Sequence, residues 1–244
     1  MNFSDTSMAD SNRAKITANT LLAVDFFSNL GATDRAAIAE RCHGTRYSAG
    51  ANIVLQRDEF TDVFFIVSGD VRVIFHAQSG KEVQFRDQTA GACFGELSAI
   101  DGEPRSAEVA ALTDVFVGAI KAHDFLDIAT CYPAVSAKVL LQLTAMVRSL
   151  SDRVIELSTL GVPNRIHAEL LRIARAHGTE NNSSDITPAP THADFANRVS
   201  TQREAVTKEF GRLVRLGVLQ RSHGALCVPD VRRLEKMVRN LTDE

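Results

Sequence analysis

Residues 91–110 read GACFGELSAIDGEPRSAEVA. A glycine opens a turn at Gly91, and Gly95-Glu96-Leu97-Ser98 follows. A loop of small and acidic residues (Ala99, Ile100, Asp101, Gly102, Glu103) then leads through Pro104-Arg105-Ser106-Ala107 into an apolar strand. That order suits a small anionic sugar-phosphate. Backbone N–H groups at the start of a short helix from Glu96 to Ser98 are predicted to face a phosphate. Arg105 supplies a planar cationic fork for the same oxygens, and Glu96 can accept hydrogen bonds from a ribose hydroxyl. Gly95 carries no Cβ, so a ligand can come close to the backbone. An isolated Gly-Glu would read as a surface turn whose acid pairs with the arginine. Glycine, acid, proline, arginine and hydroxyl in this order within about a dozen residues point instead to a site.

The flanking chain sets that stretch in a β-rich frame. Between residues 44 and 121, short β-branched and aromatic runs recur at Ala51–Leu55, Val63–Val67, Val71–Phe75, Val83–Phe85, Ala107–Leu112 and Val115–Ile120. Turns separate them at Gly50, Ser68-Gly69, Ser79-Gly80 and Gly91. Such spacing predicts a compact β-barrel or roll, with a hairpin turning at Ser68-Gly69. The 91–110 stretch resembles the phosphate-binding cassette of cyclic-nucleotide-binding domains, with Phe94-Gly95-Glu96-Leu97 as its opening and Arg105-Ser106-Ala107 as its close. The resemblance extends over the whole β-rich region. Arg57 departs from it, because the family usually has glycine in that tight turn; the turn must take another shape or place Arg57 outward.

Outward from the roll the periodicity becomes helical. Residues 1–20 show no clear period and are expected to fray. From Leu21 to Cys42 two short helices are predicted, the second capped by Thr33 or Asp34. After Pro133, residues 134–158 form one long helix in which Leu140, Leu143, Val147, Leu150, Val154 and Leu157 step by three and four. This heptad stripe marks a helix that pairs with its twin in a symmetric dimer, the alternative being a helix packed on the chain's own β-roll. Gly161-Val162-Pro163 breaks it, and Asn164 caps the next helix, Arg165–His177. A polar loop, 178–190, holds a short strand near Ile186.

Residues 191–217, THADFANRVSTQREAVTKEFGRLVRLG, form the second constellation. Thr191 caps a short helix with Phe195 and Ala196 facing inward, and a turn follows at Val199-Ser200. Thr201-x-x-Glu204 reads as a capping box for a second helix, which buries Val206, Phe210 and Leu213. Gln202, Arg203, Thr207 and Lys208 share the opposite face. Two short helices with base-reading residue types on the second make a helix-turn-helix. The segment Gly217–Val228 supplies a hairpin wing, and Val231–Leu241 a closing amphipathic helix.

Ser200-x-x-Arg203-Glu204-x-Val206 followed by Lys208 resembles the recognition helix of the catabolite activator and fumarate–nitrate regulator (Crp/Fnr) family, which usually has Arg-Glu-x-Val-x-Arg. The order of elements matches that family over residues 20–230. The fold implied is α+β: N-terminal helices at 1–43, a cyclic-nucleotide-binding β-roll at 44–130, a dimerisation helix at 131–160, and a winged helix-turn-helix at 161–244. The function implied is a homodimeric regulator of transcription under allosteric control by a cyclic nucleotide, with cyclic AMP first and cyclic GMP second. By the resemblance Gly95, Glu96, Leu97, Arg105, Ser106 and Ser151 bind the nucleotide. Thr201, Gln202, Arg203, Glu204, Thr207 and Lys208 contact a palindromic double-stranded operator, and RNA polymerase is a further partner. In the cyclic-AMP-binding activator two adjacent hydroxyls reach the base; here Leu150 occupies one position and Ser151 the other, so the base is open. One alternative gives the sensor domain haem, with His43, His76 and Cys93 in or near the roll, or an iron–sulfur cluster or no ligand. Another is a cyclic-nucleotide-binding subunit that acts on a protein partner without DNA.

Composition sets the outer bounds. The 244 residues carry a net charge of −3, are 45% hydrophobic and 23% charged, as in an ordinary globular protein. Residues 161–244 hold 13 Lys and Arg against 10 Asp and Glu, whereas residues 1–160 hold 14 against 20. Nucleic-acid contact is therefore expected at the C-terminal end. No apolar run reaches membrane-spanning length and no secretory signal is recognised, which leads to the expectation of a cytoplasmic protein without membrane contact. Cys42, Cys93, Cys131 and Cys227 form no close pair, so buried free thiols and no bound metal are expected. No nucleophile elbow, phosphate loop or metal-ligand cluster suggests an enzyme.

Overall fold

The computed structural model describes residues 13–77, 82–222 and 224–239, and the chain divides into two compact units between Met146 and Val147. The first unit runs β1 (Arg13–Ala14), α1 (Ala18–Leu22), α2 (Ala32–Ala39), β2 (Cys42–Tyr47), β3 (Asn52–Val54), β4 (Val63–Ser68), β5 (Val71–His76), β6 (Glu82–Gln88), β7 (Cys93–Phe94), α3 (Glu96–Asp101), β8 (Glu108–Ala111), β9 (Val115–Ile120) and α4 (Ala122–Cys131). Its strands form two antiparallel sheets, ordered β1-β2-β9-β4-β7 and β3-β8-β5-β6. Phe64, Ile66, Val115 and Val117 of the first sheet meet Ile53, Val71, Val73 and Val109 of the second in an inner core. On the reverse face Val63, Phe65, Phe116 and Ile120 pack with Leu21, Phe27, Ile38, Phe125 and Val135. Strands β4 and β9 are thus buried on both faces, which is why VFFIV and VFVGAI read as unbroken apolar runs.

Strand β4 lies between β9 and β7, while β5 pairs with β6 and β8. The turn after Ser68 therefore carries the chain from one sheet to the other and closes no hairpin, because both edges of β4 are already taken. Residues 79 and 80 lie outside the described residues. Arg57 keeps the left-handed conformation (φ 74) expected of glycine and points outward, so the turn retains its shape. Helix α2 is capped by Gly31 without a side-chain bond, not by Thr33 or Asp34. The segment after residue 12 is regular: β1 pairs with β2, and Thr17 makes a capping box with Thr20 at the start of α1. Residues 1–12 lie outside the described part. Of the four free cysteines, Cys93 alone is buried; Cys131 is exposed and Cys42 and Cys227 are half-buried.

Helix α5 (Pro133–Thr159) runs through the boundary between the units. The second unit continues with α6 (Val162–Ala176), β10 (Ser184–Ile186), α7 (His192–Arg198), α8 (Arg203–Arg215), β11 (Gln220–Ser222), β12 (Ala225–Val228) and α9 (Val231–Arg239). A three-stranded sheet, β10-β12-β11, packs with the helices around Ile166, Leu170, Ile186, Phe195, Phe210, Leu213 and Leu234. Gly161 caps α6 and Pro163 sits in its first turn. That position is one where the missing N–H costs nothing, so Asn164 is not the cap. The predicted capping box at Thr201 also fails. The Thr201 amide donates to Ala196 O at 3.0 Å, which ties Thr201 to the end of α7, and α8 begins one residue later with Gln202 as cap. No helix among the described residues is long and apolar enough to cross a membrane.

Candidate functional site

The cassette lies where β7, α3 and the 102–107 loop meet. Glu96 opens α3 with 2% of its surface exposed, and Arg105 is 3% exposed. Arg105 is held at both ends. Its amide donates to Asp58 O at 2.9 Å, and its carbonyl accepts from the Arg57 amide at 2.8 Å. Nη1 donates to Gly95 O at 2.9 Å and Nη2 to Asp62 O at 2.5 Å. The guanidinium carbon sits 4.6 Å from the centre of the Phe60 ring and 5.6 Å from that of Phe64, a cation–π arrangement. Burial lowers the Arg105 pKa from its ordinary value, and Asp62, Asp58 and Glu96 oppose that shift.

Arg105 does not pair with the neighbouring acid as an isolated surface turn would have it. Its fork engages two backbone carbonyls, and its Nε is buried without a hydrogen-bond partner. A guanidinium has five N–H donors, so three remain for an anion. Gly95 adopts φ 85. A Cβ there would stand 2.6 Å from Arg105 Nη1 and 2.9 Å from Asp62 O. The glycine therefore makes room for the arginine itself, where the sequence suggested room for a ligand. Leu97 is half-buried and Ser106 exposed. Ser151 is exposed on α5 and belongs with the second unit. A buried cation with free donors beside a buried carboxylate fits a cyclic phosphate fused to a ribose.

Sequence reading missed Asp58, Phe60, Asp62 and Phe64, which lie more than forty positions from Arg105 and shape its pocket. The acidic and aromatic alternation in DEFTDVFF was the available signal. Around the remaining candidates, His43 is exposed and His76 Nε2 lies 3.1 Å from Glu108 Oε2. Burial, with Glu96 and Asp25 nearby, pushes the Cys93 thiol well up. Among the described residues no group of three His, Cys, Asp or Glu side chains is placed to hold a metal ion.

In the second unit α7 and α8 form the helix-turn-helix, with the turn at Val199-Ser200. Thr191 Oγ1 accepts from Asp194 N at 3.1 Å. Phe195 and Phe210 meet edge to face at 5.0 Å. Gln202, Arg203, Glu204, Thr207 and Lys208 are exposed and Thr201 is half-buried. Glu204 lies in the first turn of α8, where an acid suits the helix dipole. Thr207 is less free than the sequence suggested. Arg221 Nη2 lies 2.9 Å from His192 Nε2, and His192 Nδ1 lies 2.7 Å from Thr207 Oγ1. Arginine only donates, so Nε2 accepts, Nδ1–H donates to the threonine, and Thr207 donates to Arg203 O at 3.0 Å. Burial and the charges of Arg221 and Arg203 lower the His192 pKa, which keeps this tautomer neutral. The chain of bonds ties β11 of the wing to the exposed face of α8. Nothing in the periodicity of the sequence announces it.

Comparisons with known proteins agree on both halves. Residues 45–130 match the family described as Cyclic nucleotide-binding domain, and residues 164–237 match the Crp-like helix-turn-helix domain. The chain is 23% identical over 205 residues to the CRP-like cAMP-activated global transcriptional regulator of Mycobacterium tuberculosis, covering 84% of this chain and 92% of that protein. It is 26% identical over 176 residues to the cAMP-activated global transcriptional regulator CRP of Escherichia coli, covering 72% of this chain and 82% of that protein. The structure of a CooA mutant from Carboxydothermus hydrogenoformans shares the fold, with a TM-score of 0.75 at 19% identity over 88% of this chain and 95% of that one. With a cyclic nucleotide-binding domain followed by a Crp-like helix-turn-helix, and with regulators of that architecture as its relatives, the chain belongs to the Crp/Fnr family of transcriptional regulators.

Proposed function

We propose that the protein is a homodimeric regulator whose affinity for a palindromic DNA operator is set by a 3′,5′-cyclic nucleotide held in the β-roll. The observation that carries this reading is Arg105. A buried guanidinium with an unpartnered Nε lies in a pocket with a buried Glu96, on a chain that also carries a helix-turn-helix. Arg105 takes the cyclic phosphate and Glu96 the ribose hydroxyl. Gly95 and Leu97 shape the backbone beside them, and Ser106 completes the contacts that the roll itself supplies. The relatives named as cAMP-activated support a cyclic nucleotide as the signal.

Dimerisation runs through α5, which exposes Leu140, Val147, Leu150, Val154 and Leu157. Exposed apolar stripes of that length call for a partner surface, and a second copy presents the same stripe about a two-fold axis. Gln202, Arg203, Thr207 and Lys208 face the major groove, with Thr201 and Glu204 at the start of the helix. RNA polymerase is the machinery on which such a regulator acts. The relatives' names bring no catalytic activity to the chain, and the reading gives it none.

A shift assay on operator DNA tests the reading, with and without cyclic nucleotide, for wild type and Arg105→Lys. Wild type is expected to change DNA affinity when nucleotide is added. Arg105→Lys keeps a charge but loses the fork, so it should require about 30-fold or more nucleotide for the same response. An unchanged dose response in Arg105→Lys, or no nucleotide effect in wild type, contradicts it.

A further inference from the structure

Thr207 stands on the exposed face of α8 with most of its hydroxyl already committed. Its proton goes to Arg203 O, one turn back, at 3.0 Å. His192 Nδ1 on α7 lies 2.7 Å from the same oxygen, and Arg221 Nη2 on β11 lies 2.9 Å from His192 Nε2. A guanidinium has donors only. Nε2 must therefore accept, and the single proton of the neutral ring sits on Nδ1, aimed at Thr207. Burial, then Arg221, then Arg203 lower the His192 pKa, which keeps a second proton off the ring. The ring is also backed by the core. It stands nearly perpendicular to Phe210, with centres 5.3 Å apart, and Phe210 is fully buried.

A threonine hydroxyl offers one proton and two lone pairs, and on a helix it divides between two rotamers. Here the bond to Arg203 O takes the proton, and the bond from His192 takes one lone pair. Together they hold one rotamer and leave a single lone pair for DNA. Turning the proton toward DNA in that rotamer would set two oxygens face to face at 3.0 Å with no hydrogen between them. A threonine can ordinarily donate to a base or accept from one; this one can only accept. In the major groove the exocyclic amino groups of adenine and cytosine donate, whereas thymine and guanine present carbonyl acceptors. We propose that Thr207 takes from the operator only the amino hydrogen of an adenine or a cytosine, and that His192 is the positioning residue that imposes this choice. The inference rests on the DNA-binding reading above and names the chemical group that one residue of that face recognises.

Selection of operators from random duplexes by the full chain, with and without cyclic nucleotide, identifies the base pair whose preference disappears in Thr207→Val. That variant removes the hydroxyl and keeps a methyl. At this pair the operator is then remade without the amino group (purine for adenine, pyrimidinone for cytosine) or without the carbonyl (methylpyrimidinone for thymine, 2-aminopurine for guanine). Loss of the amino group should weaken wild type about 5- to 150-fold more than Thr207→Val, the usual cost of one mismatched pair. Loss of the carbonyl should weaken both proteins alike. Transposing the pair, which puts a carbonyl where the amino group stood, should penalise wild type by a similar factor. His192→Phe keeps a ring against Phe210 and removes both nitrogens. It frees the second rotamer, so its penalty for transposition should come within about threefold of that in Thr207→Val, and the double variant should behave as Thr207→Val alone. A carbonyl effect confined to wild type overturns the proposal, as do a full transposition penalty in His192→Phe or a Thr207→Val operator identical to that of wild type. These outcomes leave DNA binding standing, whereas a wild type that selects no sequence overturns both. Should His192→Phe unfold, as thermal unfolding would reveal, nitrogen NMR of wild type on its operator decides: the His192 proton should lie on Nδ1, and a proton on Nε2 overturns the proposal.

Discussion

Arg105 donates to the carbonyl of Gly95 across 2.9 Å, at a residue where a Cβ would stand only 2.6 Å from the donating nitrogen. The loop that carries the cation and the turn that starts α3 are thus fitted to one another, and the glycine is required twice, by its φ of 85 and by this contact. Gly102 at the other end of α3 has φ 76 but nothing within 4 Å of a built Cβ. Gly102→Ala should therefore cost only the left-handed backbone strain, about 1–2 kcal/mol. Gly95→Ala should cost more and should also weaken nucleotide binding, because Arg105 has to move. Denaturant unfolding and calorimetry on the two variants separate the effects; equal losses in both would place the pocket's order elsewhere.

The sequence showed the apolar runs clearly and the polar ones poorly. Strands β4 and β9, buried on both faces, stand out in any window. Strand β2, CHGTRY, buries one residue in six and is a strand only because β9 pairs with it along its whole length. Strand β7 has two residues and depends in the same way on β4. In the site, Glu96 and Arg105 were legible because they lie nine positions apart in one motif. The groups that hold Arg105 were not, since Asp62 reaches it only through the fold. Likewise His192 and Arg221 meet across 29 positions, a distance at which periodicity carries no signal.

Helix α5 buries part of its apolar stripe and exposes the rest. Leu143 packs partly against the core of the first unit, while Val147 is 62% exposed. Val147→Asp should leave the fold intact and place an unpaired charge in the proposed dimer seam, which is strongly unfavourable. Sedimentation at micromolar concentration should show a dimer for wild type and a monomer for the variant. A monomeric wild type would contradict the pairing.

Acid should loosen the DNA-binding unit before it touches the carboxylates. His167 on α6 and Glu209 on α8 meet at 2.6 Å in the interior, and Arg212 bonds the same carboxylate at 2.9 Å. Burial holds His167 below its ordinary 6.5, although Glu209 pulls it upward and Arg212 adds to the depression. Burial alone would push Glu209 up, but its bonds from Arg212 and His167 hold it below 4.5. A histidine with a depressed folded pKa is protonated first in the unfolded chain, so its contribution is complete above about pH 6.5 and declines as pH falls through that value. The contribution of Glu209 is lost only at lower pH, below about 4.5. Denaturant unfolding, followed by a probe in the second unit, should show stability falling as pH drops below about 6.5, with a flatter profile in His167→Gln. Parallel profiles for the two proteins would remove His167 from the account.

Under the proposed function, the pocket at Arg105 is coupled to the face of α8 at Arg203. Coupling between two binding sites is reciprocal: whatever factor nucleotide applies to DNA affinity, DNA must apply to nucleotide affinity. The measurement is the nucleotide affinity of the protein free and saturated with operator DNA, by calorimetry or competition with a fluorescent nucleotide. The account predicts a shift of about 5- to 150-fold, the usual range for such coupling, equal to the factor by which nucleotide changes DNA affinity. Identical nucleotide affinities in the free and DNA-bound protein would contradict it.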